Sequence, residues 1–187
     1  MTASSISFLT GPRLSLRPLE KNDLPLLQKW SNDPELRALT GETRPMSAAA
    51  AEAYFERIQR DDARIWFVIE VRATGQVIGE TGLLRMFPDW RTTDLSIIIG
   101  ETEAQEKGYG SEAIRLMLNY AFGALGFHRV SIGVVGFNAR ALHFYEKNGF
   151  RREGVQRDGY FFDHTFSDFV MMSILEDEFR TLQNNLA

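Results

Sequence analysis

The sequence predicts a mixed α/β domain of the α+β type, and three observations lead there. Early strand signals come as neighbouring runs joined by turns, as in antiparallel hairpins. Later signals alternate as β-α-β-α-β. One run of three consecutive isoleucines reads as a strand buried on both faces, at the centre of a sheet. At 187 residues the chain suits one domain with its own core. The expected division is a loose arm over 1–10, one domain over 11–180 and a tail over 181–187.

The elements follow in order. RLSLRPL, Arg13 to Leu19, alternates apolar and polar residues as a half-buried strand does. Asn22 and Asp23 are good helix caps, and an amphipathic stretch runs through Trp30 to a stop near Asp33-Pro34. Thr40 to Pro45 reads as loop. Ser47 caps an alanine-rich helix to about Asp62. IWFVIEV and QVIGETGLLRM are two strands joined by the turn Arg72 to Gly75. After the loop Phe87 to Arg91, TTDLSIIIG is the isoleucine strand, ending at Gly100. Apolar residues at Ala113, Ile114, Met117, Leu118, Ala121, Phe122 and Leu125 have helical spacing. HRVSIGVVGFN is a strand, NARALHFYEKN a helix stopped by Gly149, and FRREGV a strand. DGYFFDHTFSDFVMMSIL is strand in its second half.

Composition narrows the function. The net charge of −4 argues against nucleic acid as the main partner. The chain has no cysteine, which removes disulfides, thiolate metal sites and cysteine nucleophiles and fits a cytoplasmic protein. The N-terminus lacks the pattern of a signal peptide, and no apolar run is long enough to span a membrane. The histidines (His128, His143 and His164) are scattered, so no metal site is expected.

The stretch QEKGYGSEA, Gln105 to Ala113, places glycines where a strand–loop–helix begins. Glycine lets backbone approach a ligand, the first helical N–H groups point outward, and the helix dipole and Lys107 add positive potential. This suits a pyrophosphate. A nucleotide P-loop needs G-x-x-x-x-G-K-[ST], which is missing. A dinucleotide fingerprint needs an acid at the end of the next strand, and that strand ends VVGFN. Glycines serving only helix packing remain the plain alternative.

Downstream, Asn138 caps the helix NARALHFYEK, and Ala141, Leu142 and Tyr145 share one of its faces. A lone tyrosine there is by default a core residue, and the asparagine by default a cap. Taken together, Q-x-x-G-x-G-S-E-A and N-x-x-A-x-x-x-Y-E-K-x-G-F resemble the GNAT superfamily of N-acetyltransferases. RLSLRPL and the closing D-x-x-x-M-S-I-L-E-D-E, from Asp168, are similar to its branch of ribosomal-protein N-terminal acetyltransferases and spermidine acetyltransferases. The resemblance runs from about Arg13 to Glu178. It implies a GNAT-like fold: a mostly antiparallel twisted sheet with a splayed central strand pair and flanking helices.

The resemblance also implies an acetyl-CoA site and an amine acceptor. Gln105, Glu106, Lys107, Gly108, Tyr109, Gly110 and Ser111 would hold the CoA pyrophosphate. Ile97, Ile98 and Ile99 would offer main-chain groups to the pantetheine, Asn138 would reach it, and Tyr145 would sit near the thioester sulfur. A strand N–H near Ile98 would stabilise the oxyanion formed by amine attack, and Tyr145 would protonate the leaving thiolate as general acid. Glu80 and Asp94 compete as the base, with a water relay as a third route. Each of the two is also readable as an exposed strand carboxylate.

For the acceptor, a protein or peptide N-terminal amine is the first expectation, with polyamines, amino sugars and aminoglycosides next. Gly82 stands where a polyamine-type strand glutamate is expected. Asp33, Glu35, Glu42 and Asp89 are acids in the region expected to choose the acceptor. A CoA-binding sensor without catalysis is the rival class. The aromatic-rich segment Tyr160 to Phe169 reads either as a homodimer surface or as core.

Overall fold

A computed structural model of the chain describes residues 6–185. Eight strands form one sheet in the order β1-β2-β3-β4-β5-β6-β8-β7. They are β1 Leu9–Thr10, β2 Leu14–Pro18, β3 Ile65–Val71, β4 Gln76–Phe87, β5 Thr92–Ile99, β6 Arg129–Val135, β7 Arg151–Phe162 and β8 Thr165–Leu175. Every neighbouring pair is antiparallel except β5–β6. The α-helices are α1 Leu24–Asn32, α2 Pro34–Thr40, α3 Ala48–Arg60, α4 Tyr109–Asn119, α5 Ala139–Lys147 and α6 Glu176–Asn184. The α+β expectation holds.

Apolar patterning explains the layers. One core packs Leu14, Leu16, Phe67, Ile69, Leu83 and Leu95 of the sheet against Ala113, Ile114, Met117 and Leu118 of α4, and it takes in Leu142 and Tyr145 of α5. The opposite face of β3 and β4 carries a smaller core of Leu24, Leu27 and Trp30 from α1 with Ala51 and Ile58 from α3, closed by Val68. The sheet is therefore covered on both sides, and its two faces carry different helices.

The isoleucine strand β5 is central, between β4 and β6. Its pairing with β6 is short: Thr92, Thr93 and Asp94 face Arg129, Val130 and Ser131, and the ladder stops there. Past it, β6 continues on β8 while β5 continues on β4. The two strands splay, which opens a gap along Leu95 to Ile99. This is why Ile97, Ile98 and Ile99 are half-buried rather than sealed on both faces.

Several elements depart from the sequence reading. Asp33-Pro34 does end α1, but Asp33 accepts from the N–H groups of Glu35 and Leu36 and so also starts α2, with proline at its first position. The arm expected over 1–10 is partly ordered: β1 pairs with β2, and Phe8 stacks on Phe67 with ring centroids 5.6 Å apart. Residues 1–5 of that arm and 186–187 of the expected tail lie outside the described residues. The start of the tail instead continues α6. The segment before β8 is strand throughout, because Asp163 and His164 both take positive φ (46° and 62°) and make a two-residue hairpin turn. Of the aromatic segment at that tip, Tyr160 donates to the Ala38 carbonyl of α2 at 2.7 Å, while Phe161 and Phe166 are exposed.

Candidate active site

Two constellations meet at the gap, one from each face of the sheet. On the α4 face, the glycine loop leaves β5, makes a short 3-10 turn over Thr102–Ala104 and enters α4 at Gly108, whose φ is 79°. Glu106 is also left-handed at φ 59°, a conformation a side chain adopts at a cost of order 1–3 kcal/mol. No side chain caps α4, so its first-turn N–H groups are left for a ligand. Gln105 ties the loop across the gap: its amide donates to the Ile99 carbonyl at 3.2 Å, and its carbonyl accepts from Arg140 of α5 at 3.1 Å. Ser111 accepts from Asn148, the residue that closes α5, at 3.1 Å. A Cβ on Gly110 would lie 3.0 Å from the Phe144 ring. Close packing against Phe144 thus accounts for glycine at position 110.

α5 carries the second predicted motif to the same place. The Asn138 side chain accepts from the Ala141 N–H at 3.0 Å, so its oxygen is the helix cap. Tyr145 is 7% exposed, with ring contacts to Phe144 and Phe150. Burial pushes its phenol pKa up, which keeps the proton on oxygen across the physiological range. Its hydroxyl makes no hydrogen bond among the described residues, and no buried polar side-chain atom there is left without a partner. The hydroxyl oxygen is therefore not fully sealed from solvent.

On the opposite face, Glu80 of β4 lies directly across from Ile98 and, on its other side, from Val68. It is 8% exposed. The Trp66 indole N–H donates to it at 2.7 Å. Burial pushes the carboxyl up to about 6, against the pull of the Trp66 hydrogen bond and with a push from the Glu42 carboxylate. Tyr54 of α3 belongs to the same region, its phenol pushed up by burial and then by the charge of Glu80. Gly82 makes the arrangement sterically allowed. A Cβ there would lie 2.2 Å from the Trp66 ring, so the indole lies against bare β4 backbone.

Asp94 is on the same face as Glu80 by strand alternation but is differently placed. It sits at the closed end of the gap, paired with Ser131 across β6, and its carboxylate is bonded to the Arg85 guanidinium. Four residues separate it from Ile98, roughly 13 Å along a strand. Glu80 thus stands opposite Ile98 at the splayed end of β5, and Gln105 of the loop bonds the neighbouring Ile99, whereas Asp94 lies at the closed end. The sequence reading did not single out Trp66, Tyr54, Arg13 or Glu112. Arg13 and Glu112 stand in quoted motifs, but their pairing across 99 residues has no local signal.

The splayed strand pair with an uncapped glycine-led helix beside it is the architecture the resemblance to N-acetyltransferases implies, and comparison with known proteins names it. Residues 13–151 match the acetyltransferase (GNAT) domain, and the chain belongs to that family. A spermidine N(1)-acetyltransferase of Vibrio cholerae is 29% identical over 167 residues, covering 89% of this chain and 95% of that protein. The spermidine N(1)-acetyltransferase of Escherichia coli K12 is 25% identical, covering 89% and 88%. A crystal structure of spermidine N-acetyltransferase from Vibrio cholerae with CoA and spermine superposes with a TM-score of 0.85 at 28% identity, covering 91% of this chain and 99% of that one. The chain is an acetyl-CoA-dependent N-acetyltransferase. Among the described residues no helix is long and apolar enough to cross a membrane, and no cluster of potential metal ligands occurs.

Proposed function

We propose that the enzyme acetylates a primary amine of a small cationic molecule of the polyamine class, with Glu80 as general base and Tyr145 as general acid. The observation that carries the reading is Glu80: a buried carboxylate held by Trp66, pushed up to about 6, and opposite Ile98 at the splayed end of β5. A base is most effective when its pKa lies near the working pH. Asp94 is tied to Arg85 and stands at the closed end of the gap, which favours Glu80.

The two faces divide the work. Glu80 belongs to the face of α1 and α3, and Tyr145 to the face of α4 and α5. The gap between β5 and β6 joins them, so donor and acceptor approach from opposite sides. Gln105 to Ser111 hold the pyrophosphate through the first-turn N–H groups of α4. Edge groups of Ile97, Ile98 and Ile99 pair with the amides of the pantetheine arm. The ammonium gives one proton to Glu80, and the free amine attacks the thioester carbonyl to form a tetrahedral oxyanion. As this collapses the C–S bond breaks, Tyr145 protonates the departing sulfur, and the second proton on the new amide nitrogen returns the tyrosine to its neutral form. Amide and thiol leave, and one proton passes from Glu80 to solvent.

The acceptor assignment departs from the first sequence expectation of a peptide N-terminus. The identity of the relatives, spermidine N(1)-acetyltransferases, supports a polyamine, and so does the Glu42 carboxylate, close enough to act on Glu80 electrostatically. Of the other acids in that region, Asp33 is used as a helix cap. The glutamate missing at Gly82 is offset by Glu80, two residues earlier on the same face of β4. The test is thiol release from acetyl-CoA with a panel of polyamines, amino sugars, aminoglycosides and peptide N-termini. Highest kcat/KM with a polyamine is expected. Highest kcat/KM with a peptide would return the acceptor to the N-terminal amine class, and no thiol release with any amine would favour a sensor.

A further inference from the structure

The glycine loop is held from outside by a residue with no place in the chemistry. Arg13, at the entry to β2, lies 99 residues from Glu112 in sequence and donates its Nε–H to Glu112 Oε2 at 2.8 Å. Its backbone N–H and that of Leu14 donate to Glu112 Oε1 at 2.8 and 3.0 Å. The same guanidinium donates to the Lys107 carbonyl at 2.9 Å and lies 4.8 Å from the centre of the Tyr109 ring. It also roofs Gly108, where a Cβ would come within 3.3 Å of Arg13 Nη2. One side chain therefore touches three consecutive residues of the loop and the first turn of α4.

Glu112 creates the need for it. The carboxylate is 5% exposed, at the fourth position of α4. Burial raises its pKa, but the hydrogen bonds from Arg13 and Leu14 outweigh that and hold it below the usual carboxylate range. It is therefore ionised, one turn beneath N–H groups that must attract an anion. A bare negative charge there cancels the helix dipole and repels a pyrophosphate.

We propose that Arg13 is a positioning residue of the CoA site, which neutralises Glu112 and holds the Lys107–Gly108–Tyr109 backbone in the shape that receives the pyrophosphate. The inference rests on the reading of Gln105 to Ser111 as the cradle. Its effect falls on acetyl-CoA and spares the acceptor, which binds on the other face of the sheet.

The experiment titrates acetyl-CoA calorimetrically into Arg13→Ala, Arg13→Ala/Glu112→Gln and Lys107→Glu, with KM for the acceptor measured in parallel. Arg13→Ala raises the acetyl-CoA Kd about tenfold, the lower range for losing a hydrogen-bonded charge, and leaves the acceptor KM within about twofold. The double variant recovers a measurable part of the loss, because the uncompensated charge is gone; a general loss of structure would not be reversed by a second core change. Parental affinity in Arg13→Ala, or a double variant that binds no better than the single, overturns the proposal. Should Arg13→Ala fail to fold, Arg13→Gln carries the same comparison with and without Glu112→Gln. Lys107→Glu, on the exposed part of the loop, separates the two readings. If it leaves acetyl-CoA affinity unchanged, the cradle assignment falls. If it weakens binding while the Arg13 variants do not, only the role of Arg13 falls.

Discussion

Trp66 and Glu80 are diagonal neighbours on β3 and β4, joined by a 2.7 Å hydrogen bond from the indole N–H to the carboxylate. The bond stabilises the charged form of an acid whose burial disfavours it, so Glu80 settles at about 6 rather than higher. With Glu80 as base, kcat/KM falls tenfold per pH unit below about 6 and levels off above it. Glu80→Gln removes this limb together with at least about 10²-fold of the rate. Trp66→Phe keeps a ring over Gly82 but loses the donor, so the limb moves to higher pH. A pH–rate profile of the three proteins decides it. A limb that stays in Glu80→Gln assigns the titration to another group.

The same shift has a cost in stability with a definite sign. Glu80 has a folded pKa of about 6 against an ordinary value of 4.5, so between these values the folded state binds more protons than the unfolded one. Stability therefore falls as pH rises through this window, and the charged carboxylate is a burden above it. At about 1.36 kcal/mol per unit the burden is about 2 kcal/mol. Glu80→Gln is expected to be more stable than the parent by that order at pH 8 and to lose the advantage near pH 4. Denaturant titrations at the two pH values measure the difference.

Asp94 is the control for this assignment. Its carboxylate is committed to Arg85 and lies at the closed end of the gap. Asp94→Asn is expected to keep kcat/KM within about threefold and to lose at most about 1 kcal/mol of stability, the range of an exposed ion pair. A loss of activity comparable to that of Glu80→Gln would move the base to Asp94.

Most of the fold is readable in the sequence because its strands and helices carry strong periodic signals. IWFVIEV spans the same residues as β3, and Ser47 caps α3 through the Ala50 N–H at 3.2 Å. The misses have local causes. Asp33 serves two helices at once, and Asp163-His164 makes a hairpin turn without the glycine that usually marks one. For the candidate site, the glycine loop and Tyr145 can be nominated from the sequence because their residue types and spacing form two motifs that resemble one family. Glu80 could not be ranked above Asp94, since both are strand acids on one face. What separates them is a tryptophan on the next strand and an arginine in a bulge. Those are facts of register and burial, which a linear pattern does not encode.

Two glycines of β4 give graded steric predictions. A Cβ on Gly82 meets the Trp66 ring at 2.2 Å and the Ile65 carbonyl at 2.5 Å, whereas one on Gly79 meets the Ile98 carbonyl at 2.1 Å and the Ile99 Cα at 3.0 Å. At Gly82 the indole can swing aside and the remaining backbone clash with the Ile65 carbonyl is the milder one, whereas at Gly79 every close atom is backbone of the central strand. Both alanine variants lose stability, Gly82→Ala by about 1–3 kcal/mol and Gly79→Ala by more. Gly82→Ala also displaces Trp66 and so moves the acid limb upward, as Trp66→Phe does. Chemical denaturation with parallel pH profiles tests both, and an unshifted limb in a folded Gly82→Ala would show that Trp66 is not held by Gly82.

Tyr145 offers the cleanest separation of binding from chemistry. Its ring is buried against Phe144 and Phe150, while its hydroxyl has no partner among the described residues. Removing the oxygen therefore deletes no internal bond and leaves the packing in place. Tyr145→Phe is expected to match the parent in thermal stability and in acetyl-CoA affinity. Its turnover falls about 10²-fold, the lower range for a lost general acid. The deficit should shrink with acyl thioesters whose thiol has a lower pKa, because such a sulfur needs less help to leave. Turnover near the parental value, or a deficit indifferent to the leaving thiol, would remove Tyr145 from proton transfer and leave it as packing alone.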